Sequence, residues 1–136
     1  MLKLDLLDNA LDFILDAVTR LSNPSVSPDD IKYSLLHLSS GVELLLKQCL
    51  LDEHWALIFA NVDNADKLVL DTGDFKSVDF KESLNRLERV CSIDLQNYKP
   101  DLDTLRKLRN KIEHYQIEIS KDRAVSILVK AWGVIL

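Results

Sequence analysis

A chain of 136 residues, 47% apolar and 29% charged, can build a core as one domain without a disulfide or metal to staple it. Its formal net charge of −5 argues against a general nucleic-acid binder and leaves room only for a local basic site. No stretch approaches the ~18 uninterrupted apolar residues of a membrane span, and the acids in the first apolar stretch argue against a secretory signal, so a cytoplasmic setting is expected.

Gly and Pro are few, at three each, and long periodic segments dominate. The class expected is all-α: a bundle of about five helices filling a single domain, 1–136. Leu4, Leu7, Leu11, Ile14, Val18 and Leu21 keep helical spacing and predict a first helix over residues 2–21. Asp5, Asp8, Asp12 and Asp16 form an acidic stripe beside that seam, read as a solvated face.

Asn23-Pro24-Ser25-Val26-Ser27-Pro28 breaks the chain, with Ser27 as N-cap and Pro28 at the first position of a second helix over 28–51. Ile31, Leu35, Leu38, Val42, Leu45 and Cys49 mark its seam, and further leucines make it apolar almost all round, which predicts a central, buried helix. Glu43 and Lys47 on it are placed for an i,i+4 ion pair, or for a carboxylate that faces a later arginine. His37 is expected to be a satisfied, partly buried histidine.

The signal weakens over 52–78. His54 to Phe59 suggests a short helical turn, and 61–74 reads as loop apart from Leu68-Val69-Leu70, with a turn at Gly73. Phe80, Leu84, Leu87 and Cys91 define a third helix beginning near Asp79. Cys49 and Cys91 both sit in helical patterns among apolar residues, as reduced core thiols.

After Pro100 comes a helix whose core seam would be Leu102, Leu105, Leu108, Ile112 and Tyr115. Its other side carries the most chemically suggestive stretch of the chain, Arg106-Lys107-Leu108-Arg109-Asn110-Lys111-Ile112-Glu113-His114. Asn110 and His114 lie one turn apart, whereas Arg109 and His114 are about 140° apart around the axis and share no face. A histidine at a helix C-terminus is favoured as the cation, which suits acid–base work. Residues 116–119 alternate and suggest a short extended run. Ser120 is a fitting N-cap for a last helix carrying Val125, Leu128, Trp132 and Ile135, and the chain ends on Val134-Ile135-Leu136. No histidine or cysteine spacing suggests a metal site, and no cofactor motif is present.

Ser39-Ser40-Gly41-Val42-Glu43 on one helix, followed by Arg109-Asn110-x-x-x-His114 on a later one, resembles the HEPN superfamily, small helical domains of many prokaryotic toxin–antitoxin and antiphage systems. The resemblance spans the second helix to the last, but the 52–78 segment does not align with the family. It implies an up-and-down helical core, a homodimer, and metal-independent RNA cleavage. Arg109, Asn110 and His114 are then catalytic, Glu43 is the acidic residue beside them, and Arg106, Lys107, Lys111 and Lys47 draw in the RNA backbone. An antitoxin or regulatory partner is also implied. Many HEPN-like domains are instead helical interaction or nucleotide-binding modules, the second expectation for this chain.

Overall fold

Ser27 starts the longest helix. Its hydroxyl accepts from the Asp30 N–H at 3.1 Å while the Asp30 carboxylate accepts from the Ser27 N–H at 3.0 Å, a reciprocal capping box with Pro28 at the next position. The computed structural model describes residues 1–135, and Leu136 of the apolar terminus lies outside them. Among the described residues there are six α-helices and no strand: α1 Leu6–Ser22, α2 Pro28–Glu53, α3 Lys67–Thr72, α4 Phe80–Arg89, α5 Lys99–His114 and α6 Lys121–Ile135. Two 3-10 turns, Trp55–Ile58 and Val62–Asn64, lie between α2 and α3.

The all-α class is as expected, with one helix more than the pattern suggested. That helix, α3 (Lys67–Thr72), falls within 61–74, where the sequence suggests mostly loop. Asp66 caps its start, accepting from Leu68 N at 2.8 Å, and Gly73 ends it in the left-handed region at φ 73°. Six residues carry too little periodicity to announce a helix.

The 26-residue α2 is the hub, and α1, α4, α5, α6 and the first 3-10 turn all pack on it. Leu35, Leu38, Val42, Leu46 and Leu50 are buried along it. Both cysteines are free thiols as expected, but only Cys91, half-buried, packs against the core, and Cys49 is exposed. Towards the end of α2 the buried side narrows to Leu46 and Leu50, and Cys49 turns to solvent.

The first helix begins at Leu6 rather than at residue 2, because Asp5 caps it by accepting from Asp8 N at 2.7 Å. Its buried line is Ala10, Ile14, Ala17 and Leu21, and Leu4, Leu7 and Leu11 of the expected seam are exposed. Gly41 is the reason. A Cβ there would stand 2.6 Å from Ile14 Cγ1 and 2.9 Å from the Ala10 carbonyl oxygen, so α1 and α2 close to a distance that only small residues permit. The last helix behaves alike: Ala124, Ile127 and Ala131 are buried, Val125 and Leu128 are half-buried, and Trp132 is exposed. Ser120 caps it as expected, accepting from Arg123 N at 3.1 Å.

Between α2 and α4 the chain is held by Arg86, a buried cation that the apolar reading of α4 passed over. Its guanidinium donates to the carbonyls of Leu57, Phe59 and Ala60 at 2.6, 2.5 and 2.8 Å, and its Nε reaches Glu82 at 3.3 Å. Those carbonyls belong to a segment that pairs briefly with 76–78 through Ala60 N to Lys76 O and Val78 N to Ile58 O, both 2.9 Å. Residues 116–119 form no strand, but Ile117 and Ile119 turn to the core while Gln116 and Glu118 face out, which is how the alternation is realised.

Gly41→Ala tests the close approach of α1. The added methyl group meets backbone as well as side chain, so the gain of ~1 kcal/mol in helix propensity is outweighed by an overpacking cost of about 1–3 kcal/mol. Urea unfolding is expected to show a net loss of stability; an unchanged or raised midpoint would contradict the packing described.

Candidate functional site

The last turns of α5 present Arg109, Asn110, Glu113 and His114, and α2 supplies Glu43 from below. Leu102 and Leu105 are buried and Leu108 and Ile112 half-buried, so the apolar seam of α5 seats the helix as the spacing suggested. Tyr115 departs from that seam and is exposed, because the helix stops at His114 and the next residue leaves the wheel with φ −147° and ψ −115°.

Arg109 is the centre of the arrangement. Its NH1 lies 3.7 Å from Glu43 Oε2, and its Nε lies 3.5 Å from Glu113 Oε1 one turn on. Both are ion pairs without hydrogen-bond geometry, which leaves the guanidinium oriented but not clamped. The Glu43 side chain is only 16% exposed and also faces Lys47 Nζ at 4.0 Å, so it is a carboxylate matched by two cations. Glu43 therefore does both things its position allowed: it pairs with Lys47 and it faces Arg109.

Glu113 is the site residue that sequence reasoning missed. Its second oxygen is 3.8 Å from His114 Nε2, so one carboxylate spans from the arginine to the histidine and bridges the 140° that separates them on the helix. The i,i+4 spacing from Arg109 was the available signal. The His114 side chain is 76% exposed, and Asn110, one turn before it, is exposed as well.

The four cations are less free than their cluster in the sequence implied. Asp103 holds two of them, Arg106 NH2 at 2.7 Å and Lys107 Nζ at 3.0 Å. The Arg106 hydrogen bond, with Lys107 adding to it, keeps the Asp103 carboxyl below the usual carboxylate range. Lys47 faces inward, donating to Ser77 Oγ at 2.8 Å. Lys111 is exposed, and no ion pair joins it among the described residues. The larger grooves lie elsewhere. One of about 580 Å³ between α1, α2 and the 70–77 segment touches this neighbourhood only through Lys47, and one of about 460 Å³ lies between α4 and α5. The Arg109–His114 surface lines neither of these grooves.

His37 is used structurally, as its setting suggested. Its Nδ1 donates to Asp16 of α1, which also accepts from Arg20 Nε at 2.9 Å, and Arg20 reaches on to Asp30 at 3.2 Å. The imidazole packs between the rings of Phe13 and Tyr33. Asp16 is thus part of an α1–α2 tie rather than of a purely solvated stripe. Burial pushes its carboxyl up, but the hydrogen bonds and charges of His37 and Arg20 outweigh this and hold it below the ordinary value.

Comparison of the chain with protein-family models, with curated proteins and with solved structures finds no match. No helix among the described residues is long and apolar enough to cross a membrane.

The Asp16 tie has a definite pH signature. A carboxyl depressed by folding contributes stability that is complete above its unfolded value near pH 4 and is lost as the pH falls through its lower folded value. Asp16→Asn is expected to lower stability at neutral pH and to flatten the acid side of the stability profile in urea melts; a profile parallel to that of the native protein would contradict the assignment.

Proposed function

We propose that this chain is a HEPN-like helical domain and homodimer that cleaves RNA without a metal ion, using Arg109, Asn110 and His114 with Glu43 in support. The observation that carries the reading is the linkage Glu43–Arg109–Glu113–His114 across α2 and the end of α5. It joins an anion-binding group and a proton acceptor on one open surface, where an extended polymer has access that a closed pocket would deny. The motif and the order of its helices supply the rest of the support.

In the reaction proposed, the neutral His114 imidazole takes the proton of a ribose 2′-hydroxyl, and the 2′-oxygen attacks the adjacent phosphorus. The bond to the 5′-oxygen breaks, leaving a 2′,3′-cyclic phosphate and a 5′-hydroxyl. Arg109, held by Glu43 and Glu113 at ion-pair rather than hydrogen-bond distances, stabilises the charge that builds on the phosphate oxygens. Glu43 and Glu113 fix the plane of the guanidinium. Asn110 donates to the phosphate, and Lys111 adds attraction to the backbone.

A second reading has its own observation. Arg106, Lys107 and Arg109 are all matched by carboxylates in a protein of net charge −5, which suits a helical interaction or nucleotide-binding module that cleaves nothing.

Incubation of single-stranded RNA and tRNA with the protein in EDTA separates the two. Cleavage by the native chain is expected, with a loss of about 10²–10⁴-fold for His114→Ala and about 10²–10³-fold for Arg109→Ala, both variants folded by circular dichroism. Equal cleavage by all three would remove the site from the chemistry, and none by the native chain would favour the module. Asp103→Asn, in a His114→Ala background, is expected to release Arg106 and Lys107. RNA binding followed by anisotropy should then tighten, and the slope of log affinity against log salt should steepen by about 1.4, at about 0.7 for each of the two added contacts. An unchanged slope would show that these two cations do not meet RNA.

A further inference from the structure

The groove of about 580 Å³ between the start of α1, α2 and the 70–77 segment has apolar walls, to which Leu6, Leu44, Leu51, Ile58, Leu70 and Phe75 contribute. Its one cation is Lys47. The Lys47 side chain is only 14% exposed, yet its ammonium carries three donors and makes one hydrogen bond among the described residues, to Ser77 Oγ at 2.8 Å. Glu43, 4.0 Å away, balances the charge from beyond hydrogen-bond distance. A largely buried ammonium with donors to spare calls for a further acceptor. We infer that the groove binds a small amphipathic monocarboxylate, with its carboxylate on Lys47 and its apolar body along Leu44, Leu51, Leu70 and Phe75. Its binding is relayed to Arg109.

Size and charge select this occupant. A few hundred cubic ångströms of mostly apolar lining with a single placed polar group is the usual form of a small-molecule site. Asp5 and Asp71 also line the groove, but both are exposed, and Asp5 is engaged in capping α1 through Asp8 N at 2.7 Å. Water and salt screen carboxylates at an exposed edge, whereas an ion pair with Lys47 forms where water is largely excluded. The two aspartates oppose further negative charge, so a monoanion is favoured over a dicarboxylate or a phosphate dianion.

The relay is short. Lys47 and Arg109 share one carboxylate, Glu43, at 4.0 and 3.7 Å. A ligand that draws the Lys47 ammonium to itself leaves Glu43 to be matched by Arg109 alone. The guanidinium is then held more firmly by Glu43 and is less available to a phosphate, which makes the ligand an inhibitor. Inhibition rests on the function proposed above, whereas binding in the groove and the response of Arg109 do not.

Titration with octanoate, 1-octanol and octyltrimethylammonium, which share one tail, tests the inference, with the Arg109 Nε–H followed in nitrogen-edited proton spectra and assigned by its loss in Arg109→Lys. Octanoate is expected to bind about 10–100-fold more tightly than the other two and to move the Arg109 resonance. Lys47→Met keeps the apolar stem and is expected to abolish both the preference for the carboxylate and the movement of Arg109. Leu70→Ala, on the α3 wall, is expected to weaken octanoate several-fold without touching the charges, and guards against misfolding of the first variant. Equal binding of octanoate and octanol, or octanoate binding that neither substitution weakens, would overturn the site. Saturation that leaves the Arg109 resonance in place would overturn the relay. Cleavage assayed in parallel separates the two readings: a chain that binds octanoate and moves Arg109 but leaves RNA intact contradicts the ribonuclease alone, and cleavage that persists at saturation contradicts the inhibition alone.

Discussion

A carboxylate part-buried on the central helix of the chain constrains much of what surrounds it. Glu43 stands on α2, which is enclosed by α1, α4, α5 and α6, and a charge in that position needs partners in place of water. Lys47, one turn on, supplies the first and Arg109 the second. The second partner comes from another helix, so the electrostatic need of α2 helps set where along its length α5 lies. Arg109 is thereby fixed beside Glu43, and the end of α5 presents Glu113 and His114 immediately above.

The helices were legible where a single physical signal dominated. Ser27-Pro28 with Asp30 announced the start of α2, Asp79 that of α4 and Ser120 that of α6, because caps are local chemistry that the sequence states directly. Which face of a helix is buried was harder to read. On α1 and α6 the bulkiest residues drew the seam, yet Gly41 brings α1 so close that Ala10 and Ala17 form the contact and the leucines face outward. Hydrophobic spacing records that a helix has an apolar side and says little of how near its neighbour comes. Arg86 was invisible for a related reason: its partners are backbone carbonyls, which no side-chain pattern encodes.

The candidate site was legible in its members and only partly in its wiring. Arg109, Asn110, His114 and Glu43 could be named from spacing and resemblance, and the facing of Glu43 toward Arg109 is realised. The bridge through Glu113 and the capture of Arg106 and Lys107 by Asp103 were not seen, because charged side chains three and four residues apart on a helix have several partners open to them. The consequence matters for function. The stretch that looked like a basic patch is a set of matched charges around one oriented guanidinium. An RNA phosphate would have to compete with carboxylates for those cations, so binding strength and its salt dependence follow from the acids as much as from the bases.

Two sides of the molecule thus have different characters. The end of α5 is polar, open and wired through Glu113, while the outer side of α1 and α6 is apolar. The central claim concerns the first side, that its histidine and arginine act on the ribose 2′-hydroxyl and the adjacent phosphate. The most direct test is to compare an RNA oligonucleotide with the same sequence carrying a single 2′-deoxy nucleotide at the cleaved position, in EDTA, and to analyse the product ends by mass spectrometry. The account predicts a 2′,3′-cyclic phosphate and a 5′-hydroxyl from the RNA and no cleavage at the deoxy position. Cleavage at that position, or products ending in a 3′-hydroxyl and a 5′-phosphate, would contradict it.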